Sequence, residues 1–103
     1  MKIIWSPLAI ERVEEAGRYL AQDSLAIAIK WTEEIFAKVG RLRSFPKSGR
    51  IVPEIDSPFV REIIVGNYRV IYRIESRRIL ILTIRHTRQL LRMGEDEPEG
   101  YNQ

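Results

Sequence analysis

Residues 60–74, which read VREIIVGNYRVIYRI, decide the fold of this chain. From position 68 onward, apolar and charged side chains alternate with the two-residue period of a half-buried β-strand. Gly66-Asn67 lies between two such stretches and is typical of the tight turn of a β-hairpin. The stretch therefore predicts two antiparallel strands, from Val60 to Val65 and from Tyr68 to Glu75.

A third strand is expected after this hairpin. Ser76-Arg77-Arg78 predicts a turn, and the residues from Ile79 to Arg85 are apolar on both faces, as in the centre of a sheet. Residues 87–92 predict a short C-terminal helix. Residues 93–103 contain four acids and no Lys or Arg, which predicts an acidic, flexible tail. We therefore expect one domain over residues 1–92.

Two helices are expected before the sheet. Lys2–Trp5 is suited to a strand, and Ser6-Pro7 offers a helix cap followed by a first-turn proline. Apolar residues then recur at helical spacing up to Leu20, and again from Leu25 to about Ser44. The expected fold is α+β, with an N-terminal strand and an antiparallel two-helix hairpin packed on one face of a small antiparallel sheet. The other face of that sheet is expected to be open.

The composition excludes several classes of protein. The 103 residues include no cysteine and one histidine, which excludes disulfides, thiolate metal sites and multi-histidine metal sites. No apolar stretch is long enough to cross a membrane, and the N-terminus lacks the pattern of a signal peptide. We expect a cytoplasmic protein with no cofactor, no metal and no membrane contact.

Positive charge is concentrated in the middle of the chain. Residues 41–92 contain twelve Lys/Arg against four Asp/Glu, and eleven of the twelve are arginines. Arginine makes bidentate contacts with carboxylates and phosphates. The segment is therefore either a solvated basic face or a surface for an acidic partner or a nucleic acid.

Three groups of residues are candidates for chemistry or binding. Arg69 and Arg73 share one face of a predicted strand, where they either reach solvent or clamp an anion. His86 follows the last strand and is either a general acid or base, or a structural histidine bonded to the backbone. The aromatic residues either stack on nucleic-acid bases or belong to the core; they are Trp5, Trp31, Tyr68 and Tyr72.

Several motifs, taken in order, resemble the RelE/ParE toxin superfamily, the toxins of type II toxin–antitoxin modules, also known as plasmid stabilisation proteins. The resemblance covers about residues 2–90 and implies the fold expected above. The motifs are Trp5-Ser6-Pro7, the segment from Phe45-Pro46 to Gly49-Arg50, Arg61-Glu62, Tyr68-Arg69-Val70-Ile71-Tyr72-Arg73, and Ile84-Arg85-His86-Thr87-Arg88.

The superfamily implies two different activities. RelE-like members are metal-independent endoribonucleases that cut mRNA on the ribosome, and in that case the catalytic residues would be Arg69, His86 and Arg88. ParE-like members inhibit DNA gyrase and are not nucleases. Glu62 and Val60 stand where RelE-like enzymes have a lysine pair, and Gly94 stands near their late tyrosine. These departures favour the ParE-like branch.

In either case the resemblance implies a cognate antitoxin, acidic and partly disordered, that forms a hetero-oligomer with the toxin. The residues expected to bind the antitoxin or the target are Arg50, Arg61, Arg69, Arg73, Arg85 and Arg88. A third alternative is a basic nucleic-acid-binding module without toxicity, which would bind DNA or RNA with a steep dependence on salt.

Overall fold

A computed structural model describes residues 1–92 of the chain. The elements follow the order strand, two helices and four strands, with a short 3₁₀ segment after the second helix. They are β1 (Lys2–Trp5), α1 (Pro7–Asp23), α2 (Leu25–Gly40), the 3₁₀ segment (Arg41–Arg43), β2 (Arg50–Ile51), β3 (Val60–Val65), β4 (Tyr68–Ile74) and β5 (Arg78–His86). The predicted α+β fold, with a helical hairpin on a sheet, is confirmed.

The five strands form one sheet in the order β1-β5-β4-β3-β2. The pairs from β2 to β5 are antiparallel, whereas β1 pairs with β5 in parallel, so the sheet is mixed rather than wholly antiparallel. The direction of β1 follows from its junction with α1. Ser6 is buried there, donating its hydroxyl to the Leu82 carbonyl at 2.8 Å and accepting from the Ala9 amide at 3.0 Å. The same serine therefore caps α1 and fixes β1 beside β5.

The helical hairpin forms as the capping residues predict. The Ser24 hydroxyl accepts from the Ile27 amide at 3.2 Å and thereby caps α2, which begins directly after α1 ends. The second helix ends at Gly40 rather than near Ser44, because its last turn tightens into the 3₁₀ segment. Between the hairpin and the sheet lies the main core, which includes Ile35 and Tyr72.

The opposite face of the sheet is covered, so the expectation of an open face is wrong. Val52, Ile71, Leu80 and Leu82 are buried there as a second cluster. The loop between β2 and β3 folds over this face, and residues following β5 complete the cover; Ile4, Ile55, Val60 and Leu91 pack against the cluster. Because Ile71 and Leu80 are apolar, leaving this face in water would forgo the free energy of their burial.

The expected short helix at residues 87–92 is also absent. The chain turns at Thr87 and Arg88 and then continues without regular structure up to residue 92. The physical reason is that the Leu91 amide, which a helix would direct to the Thr87 carbonyl, bonds to Glu54 instead. The bond from the Gln89 amide to the His86 carbonyl closes a single turn. The predicted acidic tail, residues 93–103, lies outside the described residues.

Within residues 1–92, neither helix combines the length and the apolar character needed to traverse a lipid bilayer.

Candidate functional site

Arg69 lies at the centre of a buried charge network on the sheet face away from the helices. Only 5% of the residue is exposed. Its Nε donates to Glu62 Oε1 at 2.5 Å, and its two terminal nitrogens form a bidentate pair with Glu54 at 2.8 Å each. A fourth bond runs from Nη1 to the Gln89 carbonyl at 3.0 Å. All three guanidinium nitrogens are therefore occupied by groups of the chain itself.

Glu62 links two arginines of this network. Its side chain is fully buried and accepts from Arg69 on one oxygen and from Arg50 Nε, at 2.5 Å, on the other. The Arg50 side chain remains 63% exposed, so the network reaches the surface at that end. A buried carboxyl requires this pairing, because desolvation without partners costs several kcal/mol.

Glu54 closes the network and holds the segment after β5. One of its oxygens also accepts from the Leu91 amide at 3.0 Å. The bond from Arg69 lowers the pKa of Glu54 from 4.5 to about 2, against the opposing effect of desolvation. In turn the bond from Glu54 raises the pKa of Arg69 above its ordinary value. Arg69 and Glu54 together attach Gln89–Leu91 to the sheet.

Arg73 lies on the same face as Arg69 but has its own partner. Its Nε donates to Glu75 at 2.9 Å, its side chain is 14% exposed, and Arg78 binds the second oxygen of the same carboxyl. Although burial opposes the effect, these two bonds hold the pKa of Glu75 below its ordinary value. Of the two alternatives for Arg69 and Arg73, exposure to solvent is wrong, because both side chains are largely buried; the anions that they meet are the chain's own carboxylates.

The other arginines expected to bind partners occupy varied surroundings. Arg61 is half-buried and donates to the carbonyls of Pro58 and Gly49. Arg85 is half-buried and lies directly across from Arg69 in the sheet. Arg88 is exposed in the turn after β5. The three proposed catalytic residues therefore lie in different surroundings. Arg69 is buried in an ion network, whereas His86 ends β5 and Arg88 is exposed in the turn after it.

His86 ends β5 and lines a cleft between α1 and the sheet. Its ring meets Tyr68 edge-on, with centroids 5.4 Å apart, and its Nδ1 accepts from the Arg88 amide at 3.2 Å. This is the backbone-bonded strand-end histidine that the sequence offered as one alternative. The cleft has a volume of about 410 Å³ and is lined by Arg12, Glu15, Ala16, Tyr19, Tyr68, Ile84, Arg85, His86 and Gln89.

A second surface feature lies on the outer side of the helical hairpin. Two adjoining hollows of about 400 and 340 Å³ share Gly17, Arg18 and Thr32, where the helices face each other. The first is lined by Trp5, Ile10 and Phe36 among others, and the second by Leu25 and Ile29. We call this the hairpin groove. Its large apolar side chains are about half exposed, with 48% for Ile10 and 52% for Phe36.

Sequence reasoning missed the acids of the network and the hairpin groove. The acids left a usable signal: the two-residue turn at Gly66-Asn67 pairs Ile64 with Arg69, which places Glu62 diagonally opposite Arg69 on the same face. The groove left a weaker signal, since Ile10, Ile29 and Phe36 lie outside the buried stripes of their helices. Among residues 1–92 no three His, Asp or Glu side chains are grouped so that they could hold a metal ion.

The chain and its fold have counterparts in known proteins. The family model described as the ParE toxin of the type II toxin–antitoxin system parDE matches residues 3–91. The chain belongs to the ParE toxin family. A candidate toxin named Y4kP from Sinorhizobium fredii (strain NBRC 101917 / NGR234) is 34% identical over 90 residues, which are 85% of this chain and 90% of that relative.

A solved structure supports the ParE fold. A chain of the chromosomal ParDE toxin–antitoxin system from P. aeruginosa superposes with a TM-score of 0.68 at 21% identity, over 84% of this chain and 95% of that one. The superfamily and the ParE-like branch predicted from the motifs are confirmed, and the chain is a type II toxin of the ParE family.

Proposed function

We propose that this ParE-family chain is a cytoplasmic inhibitor of DNA gyrase that a cognate antitoxin holds inactive. The observation that carries the proposal is the internal neutralisation of Arg69. Endoribonucleolysis of the RelE-like kind needs that arginine to stabilise charge on a phosphodiester. Here Glu54 and Glu62 already bind all three guanidinium nitrogens, and the residue is 5% exposed.

A simple exchange of partners at Arg69 is energetically unfavourable. An incoming phosphodiester would have to displace two carboxyl groups and leave Glu62, fully buried, with Arg50 as its remaining charged partner. Breaking a buried pair in this way costs about 3–5 kcal/mol. A toxin that acts by binding a protein has no need of a free arginine at this position.

The antitoxin is proposed to bind in the hairpin groove. Contiguous exposed apolar side chains on a soluble protein mark surfaces that bind a partner. An apolar helix laid along α1 and α2 is the kind of partner that such a groove accepts. Acidic residues of the same antitoxin would contact exposed cations, of which Arg50, at the surface end of the network, and Arg88 are the candidates. The two proteins would then form a hetero-oligomer.

Gyrase inhibition is tested with the purified full chain and relaxed plasmid. We expect loss of ATP-dependent supercoiling as toxin is added, and full supercoiling at saturating toxin would refute the proposal. The endoribonuclease alternative is tested by primer extension on translated mRNA. We expect no A-site cleavage; cuts that disappear in His86→Ala would establish that alternative, because His86 can be replaced without breaking the buried network.

The antitoxin site is tested by co-expression with the candidate antitoxin, which is expected to be a small acidic protein. Ile29→Asp places a charge in the groove at a position that is 52% exposed, so the fold tolerates it. Phe59→Asp is the matched control, since Phe59 is 60% exposed and lies outside the groove. We expect the antitoxin to co-purify with wild type and the control but not with Ile29→Asp. Equal recovery with all three would place the antitoxin elsewhere.

A further inference from the structure

The outer edge of β3 is only partly covered by its neighbour. β2 pairs with β3 over two residues, Arg50 with Glu62 and Ile51 with Arg61. β2 is also the last strand of the described sheet on this side, so no strand lies beside residues 63–65. An uncovered strand edge presents backbone donors and acceptors, and is therefore a template for pairing with another chain.

The backbone of Ile64 points outward along this uncovered stretch. The Ile74 amide donates to the Phe59 carbonyl at 2.7 Å, which directs odd-numbered residues of β3 toward β4. The Val52 amide donates to the Val60 carbonyl at 3.2 Å, which directs even-numbered residues toward the outer edge. Within residues 1–92 the amide and the carbonyl of Ile64 therefore have no hydrogen-bond partner.

A hollow beside the open edge has room for side chains of an added strand. Its volume is about 290 Å³, and it is lined by Lys38, Arg41, Phe45, Ser48, Ile63 and Ile64. Phe45 is 66% exposed and Ile64 is 42% exposed. Because every second side chain of a strand points to the same face, a strand with alternating apolar residues would cover both.

Positive charge surrounds the same edge. Residues 35–53 contain five Lys/Arg and no Asp/Glu. Two of these cations are paired with acids outside the segment, Lys38 with Glu34 and Arg50 with Glu62. Arg41 lines the hollow, is exposed, and has no ion-pair partner among the described residues. The edge is therefore complementary to an acidic chain.

We propose that the open edge of β3 binds an extended acidic segment of a partner protein, which joins the sheet as a strand beside residues 63–65. Such a segment would form two backbone hydrogen bonds with Ile64, place an apolar side chain in the hollow and direct a carboxylate to Arg41. A second copy of this chain fits less well, because pairing edge to edge would bring two cationic segments together. No residue lining the hollow belongs to the hairpin groove, so the site is independent of the proposed antitoxin site.

The test follows amide hydrogen exchange in the purified full chain by NMR, with and without an excess of a capped heptapeptide of alternating glutamate and valine. Near saturation the Ile64 amide should exchange about tenfold more slowly, because it becomes hydrogen-bonded. The Ile63 amide is the internal control, since it faces β4 and is bonded with or without peptide. The same peptide with lysine in place of glutamate should leave Ile64 exchange unchanged.

The charge requirement is tested with Arg41→Glu. This variant should bind the glutamate peptide about fivefold more weakly than wild type, because an attractive contact becomes repulsive. Arg77→Glu is the matched control, since Arg77 is equally an exposed arginine but lies in the turn between β4 and β5. It should bind as wild type.

Three results would overturn the proposal. Unchanged exchange of the Ile64 amide in excess glutamate peptide would exclude strand addition. Equal binding by wild type and Arg41→Glu, or equal protection by the lysine peptide, would exclude recognition of an acidic segment. Protection of Ile64 in the free chain would mean that the edge is already occupied: by a second copy if protection rises with protein concentration, and by residues 93–103 if it does not. None of these results depends on whether the chain inhibits gyrase.

Discussion

Replacing Arg69 with glutamine should unfold the protein at a much lower temperature, while the same change at Arg88 should not. The Arg69 side chain makes four polar contacts: one with Glu62, two with Glu54 and one with the Gln89 carbonyl. Glutamine cannot reach these partners together, and it leaves the buried Glu62 side chain with Arg50 alone. Removal of one partner of a buried pair costs about 3–5 kcal/mol.

For a domain of this size each kcal/mol lowers Tm by about 4–8 °C, so Arg69→Gln should lower Tm by at least about 12 °C. The assay is thermal unfolding followed by far-ultraviolet circular dichroism at pH 7. Arg88→Gln serves as the control, because Arg88 is exposed and such changes stay within about 0.5 kcal/mol.

A double variant distinguishes loss of the Arg69–Glu54 interaction from other effects of replacing Arg69. Because Arg69 and Glu54 are in direct contact, Arg69→Gln combined with Glu54→Gln should cost less than the sum of the two single changes. An Arg69→Gln variant that melts within about 3 °C of wild type would refute the reasoning. It would mean that the guanidinium is dispensable to the fold and free for other chemistry.

Three further predictions concern stability. The lowered pKa of Glu54, from 4.5 to about 2, contributes stability that is present above pH 4.5 and is lost as the pH falls toward 2. The difference in urea midpoint between wild type and Glu54→Gln should therefore be large at pH 6 and smaller at pH 3; a constant difference would contradict it. Gly49→Ala should cost about 1–3 kcal/mol in urea unfolding, because its new Cβ would lie 2.6 Å from the Glu62 carbonyl oxygen. Ser6→Ala should also lower the free energy of unfolding by about 1–3 kcal/mol, because it removes the cap of α1 and a hydrogen-bond donor to the Leu82 carbonyl. A Tm within about 2 °C of wild type would show that neither bond matters.

Most of the fold could be predicted from periodicity and turn chemistry. The hairpin at Gly66-Asn67 and the cap at Ser6 lie where the sequence indicates, because both are local interactions of adjacent residues. The parallel pairing of β1 with β5 is not local. It joins residues more than seventy positions apart, and no spacing within either strand indicates it.

The candidate site was harder to predict because its charged side chains are neutralised by partners that lie elsewhere in the sequence. Arg69 in an apolar strand indicates either solvent or an anion, and the anion is the protein's own Glu54, from a loop without regular structure. The loop also converts a face expected to be open into a second core around Ile71. The surroundings of His86 were easier to predict. Its bond from the Arg88 amide is a local contact, and a backbone-bonded histidine was one of the two alternatives for this residue.

The pairing of the first strand with the last determines how early in synthesis the folded protein can form. Ser6 binds Leu82, and among residues 1–92 β1 pairs with β5 alone, so the amino-terminal strand cannot join the sheet until β5 has been synthesised. Contacts of such long sequence separation also form slowly. We therefore expect a nascent chain that has not yet reached β5 to lack the complete sheet, and with it the folded form that an antitoxin would have to neutralise.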